Sequence, residues 1–298
     1  MPTEVYFNLV SQTTEGSKGQ HSNSLDTSWH DVISGIPQGS ILGPLLFIIY
    51  INDLPDYCTD IHTKLYIYAD DTKLYRHIFN TADQDRLQND INRLNDWANE
   101  WQLKLNADKC CRITYTASNS NLCHTKYYID NGNMHCELAT MEAVSDLGVR
   151  FDSKLAFLDH ISEKVNKAYG ILGIIKRNFI HLDINSFVLL YKAMVRPHLE
   201  YANSVWCPYK KGDIEIIEKV QKRATKLIIS LKKLTYIERL KQLQLPTLKY
   251  RRMRGDMIEV FKIVHNYYDS EAAVKLHFNT FNTTRGNMYK LQKFMCYY

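Results

Sequence analysis

No stretch of this 298-residue chain is long and apolar enough to cross a bilayer. The longest apolar run, Ile41 to Ile51, is 11 residues and is interrupted by Gly43 and Pro44, whereas a spanning helix needs about 20. That run is expected to be a buried helix, and no membrane partner is expected. The N-terminus lacks a basic start followed by an apolar stretch, so no secretory signal is expected either. The seven cysteines (58, 110, 111, 123, 136, 207 and 296) are odd in number, and none form a Cys-x-x-Cys pair. A reduced intracellular chain is the simplest reading. One pattern remains open: Cys123-His124 and His135-Cys136 mirror each other. Two Cys and two His could bind zinc, although this is not the usual finger spacing.

Apolar content of 45% and charged content of 23% are globular values. The length suits one large or two ordinary domains. The net charge of +5 hides an asymmetry. Residues 1–150 hold 11 Lys/Arg and 19 Asp/Glu, net −8, while residues 151–298 hold 26 and 13, net +13. Within 210–254 there are 14 basic and 4 acidic residues. Such a division suggests a polyanion gripped by one half and processed by the other. A solvated basic surface would give the same counts.

The acidic half centres on Tyr68-Ala69-Asp70-Asp71. Leu65-Tyr66-Ile67-Tyr68 precedes the two acids and Thr72-Lys73-Leu74-Tyr75 follows them, predicting a tight hairpin with both acids at its tip. Two adjacent like charges held by a fold invite a cation. Hard divalent ions take one or two carboxylates plus phosphate oxygens, a combination suited to two-metal phosphoryl transfer. An ordinary acidic turn is the alternative. Upstream, Ser34-Gly35-Ile36-Pro37-Gln38-Gly39-Ser40 is a dense turn leading into the apolar run. Its glycines allow close backbone approach, and Gln38 supplies donor and acceptor, as a nucleotide contact would need.

Gly35-Ile36-Pro37-Gln38-Gly39-Ser40, followed about thirty residues later by Tyr68-Ala69-Asp70-Asp71, resembles the reverse transcriptases of non-LTR, jockey-like retrotransposons. Leu45 to Pro55, Asp146-Leu147-Gly148-Val149, Val195 to Tyr201 and Glu218 to Arg223 resemble the same family, so the likeness covers roughly residues 29 to 265. The resemblance implies an RNA-directed DNA polymerase in which the 3′-hydroxyl of a DNA primer attacks the α-phosphate of a deoxynucleoside triphosphate on an RNA template. It implies Asp70 and Asp71 as ligands of Mg²⁺ or Mn²⁺ and as catalytic residues, joined by Lys109 beside the leaving group. It also implies Gln38, Gly39, Ser40 and Tyr68 as substrate-binding residues, and an intracellular location in cytoplasm and nucleus.

The expected fold is α+β: a partial palm over 29–150, with an antiparallel sheet and packed helices, then a helical, basic, thumb-like region over 151–298. Residues 1–28 have no assigned element and are expected to be disordered. Leu87, Ile91, Leu94, Ala98 and Trp101 predict a helix over 83–101, and Ile161, Val165, Ala168, Leu172 and Ile175 a second. Phe187 to Val195 is expected to be helical and to end at Arg196-Pro197. A further helix from Asp213 to about Leu231 would bury Ile217, Ala224, Ile228 and Leu231. Its other side presents Lys219, Lys222, Arg223 and Lys226, which with Arg251, Arg252 and Arg254 are candidate phosphate contacts.

The family's pattern also includes another metal-binding Asp, in an Asp-x-x-x-Ala-Phe-Asp context upstream of the Gly-Ile-Pro-Gln-Gly-Ser loop. Only Glu4, Glu15, Asp26 and Asp31 precede the loop, and none has that context. The fingers and the endonuclease are not found either. The expectation is therefore the C-terminal part of a polymerase domain, impaired alone; the alternative is a non-enzymatic retroelement relic that binds nucleic acid.

Overall fold

The computed structural model describes residues 2–11, 41–58, 60–116, 125–131, 134–270, 273–279 and 289–292. The chain divides into two compact units. One is Met1–Asp146 with Arg150–Ala156, and the other is Leu147–Val149 with Phe157–Tyr298. The fold is α+β, with a mainly antiparallel sheet and packed helices followed by a largely helical region.

The first unit is built on a six-stranded sheet. Its strands are β1 (Pro2–Ser11), β2 (Thr63–Tyr68), β3 (Asp71–His77), β4 (Leu103–Leu105), β5 (Cys111–Thr114) and β8 (Ala139–Thr140). They run in the order β2-β3-β1-β5-β8, with β4 also pairing β1. Two further hairpins join β6 (Tyr128–Asn131) to β7 (Met134–Glu137) and β9 (Ala143–Asp146) to β10 (Val149–Asp152). Strand β1 corrects the sequence reading, which left residues 1–28 unassigned and expected them to be disordered. Pro2–Ser11 instead forms the strand between β3 and β5. Its alternation is hidden because Val5, Tyr6 and Phe7 are all strand formers, and only pairing decides which of them face the core. Residues 12–28 lie outside the described residues.

Helix α3 (Thr81–Glu100) buries Leu87, Ile91, Leu94 and Ala98, the stripe its spacing predicts, and adds Trp97. The Asn80 side chain caps its start by accepting from the Asp83 N–H at 2.9 Å. Leu74 of β3, Val5 of β1 and Leu54 of α2 (Leu54–Tyr57) complete this core. Arg76 is buried beneath the sheet, bonded to Thr63 Oγ1 at 2.8 Å, Asp60 at 3.0 Å and Asp83 at 3.2 Å.

Helix α1 (Leu42–Ile51) departs from the expected buried helix. Ile51 is buried, and Phe47 and Tyr50 pack on the core. Leu42, Leu45, Leu46, Ile48 and Ile49 are exposed. A helix that is apolar all round has no polar side to turn outward, so whichever face meets the sheet, the other stays apolar.

The second unit contains α4 (Leu158–Asn178), α5 (Ile184–Leu190), α6 (Arg196–Glu200), α7 (Asn203–Trp206), α8 (Lys211–Ala224), α9 (Tyr236–Gln242) and α10 (Leu248–Val264). The expected stop at Arg196-Pro197 is replaced by a π-turn over Tyr191–Val195, in which the Arg196 N–H reaches Tyr191 O. The wider turn absorbs the missing Pro197 N–H, and the helix continues to Glu200. Helix α8 ends at Ala224, short of the expected Leu231, although Ile217, Ala224, Ile228 and Leu231 are all buried.

Candidate active site

The two acids sit where β2 turns into β3. Tyr68 pairs with Asp71, leaving Ala69 and Asp70 as the turn. Ala69 takes a left-handed φ of 51°, a conformation a Cβ disfavours. Alternation places Thr72, Leu74 and Arg76 in the core and turns Lys73 and Tyr75 outward with Asp71. Asp70, Asp71 and Tyr68 are all exposed.

The pairing of β1 adds what the sequence could not. Asn8 stands opposite Asp71, so the strand beside the acids carries an amide residue at that position. Glu4, an upstream acid, pairs instead with Tyr75. It lies four residues from Asn8, about 13 Å along the strand. Glu15, Asp26 and Asp31 lie outside the described residues, as do Gln38, Gly39 and Ser40.

Among the described residues no group of three or more His, Cys, Asp or Glu side chains could hold a metal ion. Asp70 and Asp71 supply two carboxylates from one turn. That donor set fits a single hard divalent ion shared with phosphate oxygens.

Lys109 is exposed in the turn between β4 and β5, where its N–H bonds to Asn106 O at 3.0 Å. Leu105 pairs with Leu9 and Cys111 with Tyr6, so this turn flanks position 8 on the side away from Asp71. The two segments are about two strand spacings, roughly 10 Å, apart.

Of the Cys/His pattern, only His135 and Cys136 lie among the described residues. His135 and Cys136 are neighbours on β7, and successive strand residues face opposite ways. The His135 ring pairs with Asp130 at 2.5 Å and stacks on Tyr128. Cys123 and His124 lie outside the described residues.

In the helical unit, Lys219, Lys222, Arg223 and Lys226 are all exposed, opposite the buried Ile217, Val220 and Ala224. Lys222 lies over the Tyr236 ring at 5.5 Å and Arg223 over Tyr169 at 5.3 Å. The second cluster is different. Arg254 is exposed, but Arg251 is bound by both carboxylate oxygens of Glu200. Arg252 is only 3% exposed, and burial pushes its pKa down. Arg251 and Arg252 therefore do not join the surface stripe expected from sequence, because helix α10 turns both toward its neighbours.

The sheet thus carries the paired acids on an exposed hairpin turn. Residues 6–151 match the family described as reverse transcriptase (RNA-dependent DNA polymerase). Similar proteins include a probable RNA-directed DNA polymerase from transposon X-element of Drosophila melanogaster, 27% identical over 75% of this chain and 25% of the relative. The RNA-directed DNA polymerase from mobile element jockey of the same fly is 27% identical over 76% of this chain and 25% of the relative. Its counterpart in Drosophila funebris is 28% identical over 67% and 22%. The chain thus carries a reverse transcriptase domain of the non-LTR retrotransposon kind. It spans about a quarter of the length of these curated relatives.

Proposed function

We propose that this chain is a portion of an RNA-directed DNA polymerase that extends a DNA primer on an RNA template from deoxynucleoside triphosphates. The observation that carries the reading is the Asp70–Asp71 turn, held open at the end of a paired hairpin within the matched segment. Asp70 and Asp71 hold Mg²⁺ or Mn²⁺ with the substrate's phosphates, Lys109 serves the leaving pyrophosphate, and Tyr68, Gln38, Gly39 and Ser40 border the nucleotide. Lys219, Lys222, Arg223 and Lys226 hold the nucleic-acid backbone. Two-metal transfer calls for a further carboxylate beside Asp70 and Asp71, and no acid upstream of the Gly-Ile-Pro-Gln-Gly-Ser loop has the family's sequence context, so weak or silent polymerase activity is proposed for the chain alone.

A second reading, a catalytically silent nucleic-acid-binding relic, is favoured by Asn8 opposite Asp71. Primer extension on an RNA template with Mg²⁺, comparing the chain with Asp70→Ala, separates the two. Incorporation that vanishes in the variant supports the enzyme. Its absence from both, with salt-sensitive RNA binding by both, supports the relic.

A further inference from the structure

The sheet has a second feature on its outward face. Lys73 is flanked directly by tyrosines, Tyr6 on β1 and Tyr66 on β2, and its ammonium lies 5.8 Å from the Tyr6 ring centroid. The ammonium ends on Asp146 of β9 at 2.5 Å. Tyr75 and Phe151 close a hollow of about 280 Å³ around this pair. Lys73 and Asp146 are 19% and 15% exposed, so most of their hydration has been removed. A desolvated ion pair contributes little net stability; what it offers here is a donor and an acceptor side by side between aromatic walls.

We propose that this hollow binds one nucleobase, guanine preferred, as a site separate from the Asp70–Asp71 turn. Every base has a π-face that stacks on tyrosine regardless of sequence. The edge supplies selection. An ammonium has three donors, and a carboxylate accepts at several lone pairs. The edge of guanine places the O6 acceptor beside two N–H donors, so Lys73 donates to O6 while Asp146 accepts from the ring N–H and the exocyclic amine. The edges of the other bases present fewer donors to the carboxylate. The hollow accommodates the base of a free nucleoside or one turned out of a single strand. No metal ion enters the site, so it stands or falls apart from the polymerase reading.

The test is a titration of the full chain with guanosine and with adenosine, followed by ligand-observed NMR, in chelator and about 0.5 M salt. Uncharged nucleosides and high salt remove the contribution of the basic helices. Guanosine is expected to saturate and adenosine to bind several-fold more weakly. Tyr66→Ala removes a half-exposed wall and no core contact, and should weaken guanosine at least tenfold. Lys73→Met should abolish the preference over adenosine. A parallel arm uses a short oligothymidylate with and without one central guanine. Tyr66-dependent binding of guanosine assigns free nucleosides to the site. Tyr66-dependent binding of the guanine-bearing strand alone assigns a strand base. Should neither probe bind in a manner that depends on Tyr66 and Lys73, the proposal is overturned and the pair is a packing feature only.

Discussion

Ala69 and Asn8 concentrate the physics of the candidate site. Ala69 holds a left-handed φ of 51°, which costs an L-residue roughly 1–2 kcal/mol. Ala69→Gly should relieve part of this and raise stability by about 1 kcal/mol, read from urea unfolding at constant m-value. Asn8 stands opposite Asp71 in the strand register. Asn8→Asp should therefore put a third acidic residue at the register position beside the turn. We expect Mn²⁺ to bind at least tenfold more tightly by calorimetry, and Asp71→Ala to erase the gain. Asp70 and Asp71 were legible in the sequence, because adjacent acids between two strand-like runs announce a hairpin tip. Asn8, Tyr6 and the Lys73–Asp146 pair were not: they meet across more than sixty residues, and no local spacing encodes a strand register.

At the scale of elements, the helical unit depends on one carboxylate. Glu218 of α8 accepts from the Tyr236 hydroxyl of α9 and from the Leu248 and Lys249 N–H groups at the start of α10. Beside it, Gln221 accepts from Tyr191 at 2.6 Å and donates to Tyr236 at 3.1 Å and Pro246 O at 2.9 Å. Burial, then Glu218, push the Tyr236 pKa upward, so the hydroxyl stays protonated and donates. Glu218→Ala leaves three donors without their acceptor and should cost roughly 2–3 kcal/mol; Glu218→Gln should cost about half as much. Thermal unfolding by circular dichroism would show the difference. The stripes of α3 and α4 were readable from spacing. The π-turn was not, because Pro197 alone signals a stop, and only the burial of Tyr191 and Val195 before it and Leu199 after it keeps the helix running.

For the whole molecule, the two units should respond differently to acid. In the sheet unit, the N–H of His62 and then Arg76 hold Asp60 low. For Asp83, burial pushes the pKa up, but the Phe79 N–H and Arg76 outweigh it. Both carboxyls titrate lower folded than unfolded. Their contribution is therefore complete above the ordinary value of 3.8 and fades as the pH falls below it. In the helical unit, burial and then Lys164 push His160 below 6.5. The unfolded chain takes up that proton first, so stability drops as the pH falls below about 6.5. A pH series of hydrogen exchange should show the helices loosening as the pH falls below 6.5 while the sheet holds until the pH falls below 3.8.

If the exposed stripe grips phosphates, Lys222→Ala and Arg223→Ala should each lower the slope of log affinity against log salt by about 1, while Arg252→Ala should act on stability instead.

The sequence by itself determined the helical stripes, the acid-bearing hairpin and the uneven charge, because each is written in residues close together along the chain. Only the tertiary structure decided that Pro2–Ser11 is an inner strand, that Asn8 registers opposite Asp71, that Arg251 and Arg252 turn inward, and that Lys73 meets Asp146 between tyrosines. Each of these depends on strand register or helix rotation, which are settled by burying apolar area and pairing polar groups over the whole fold.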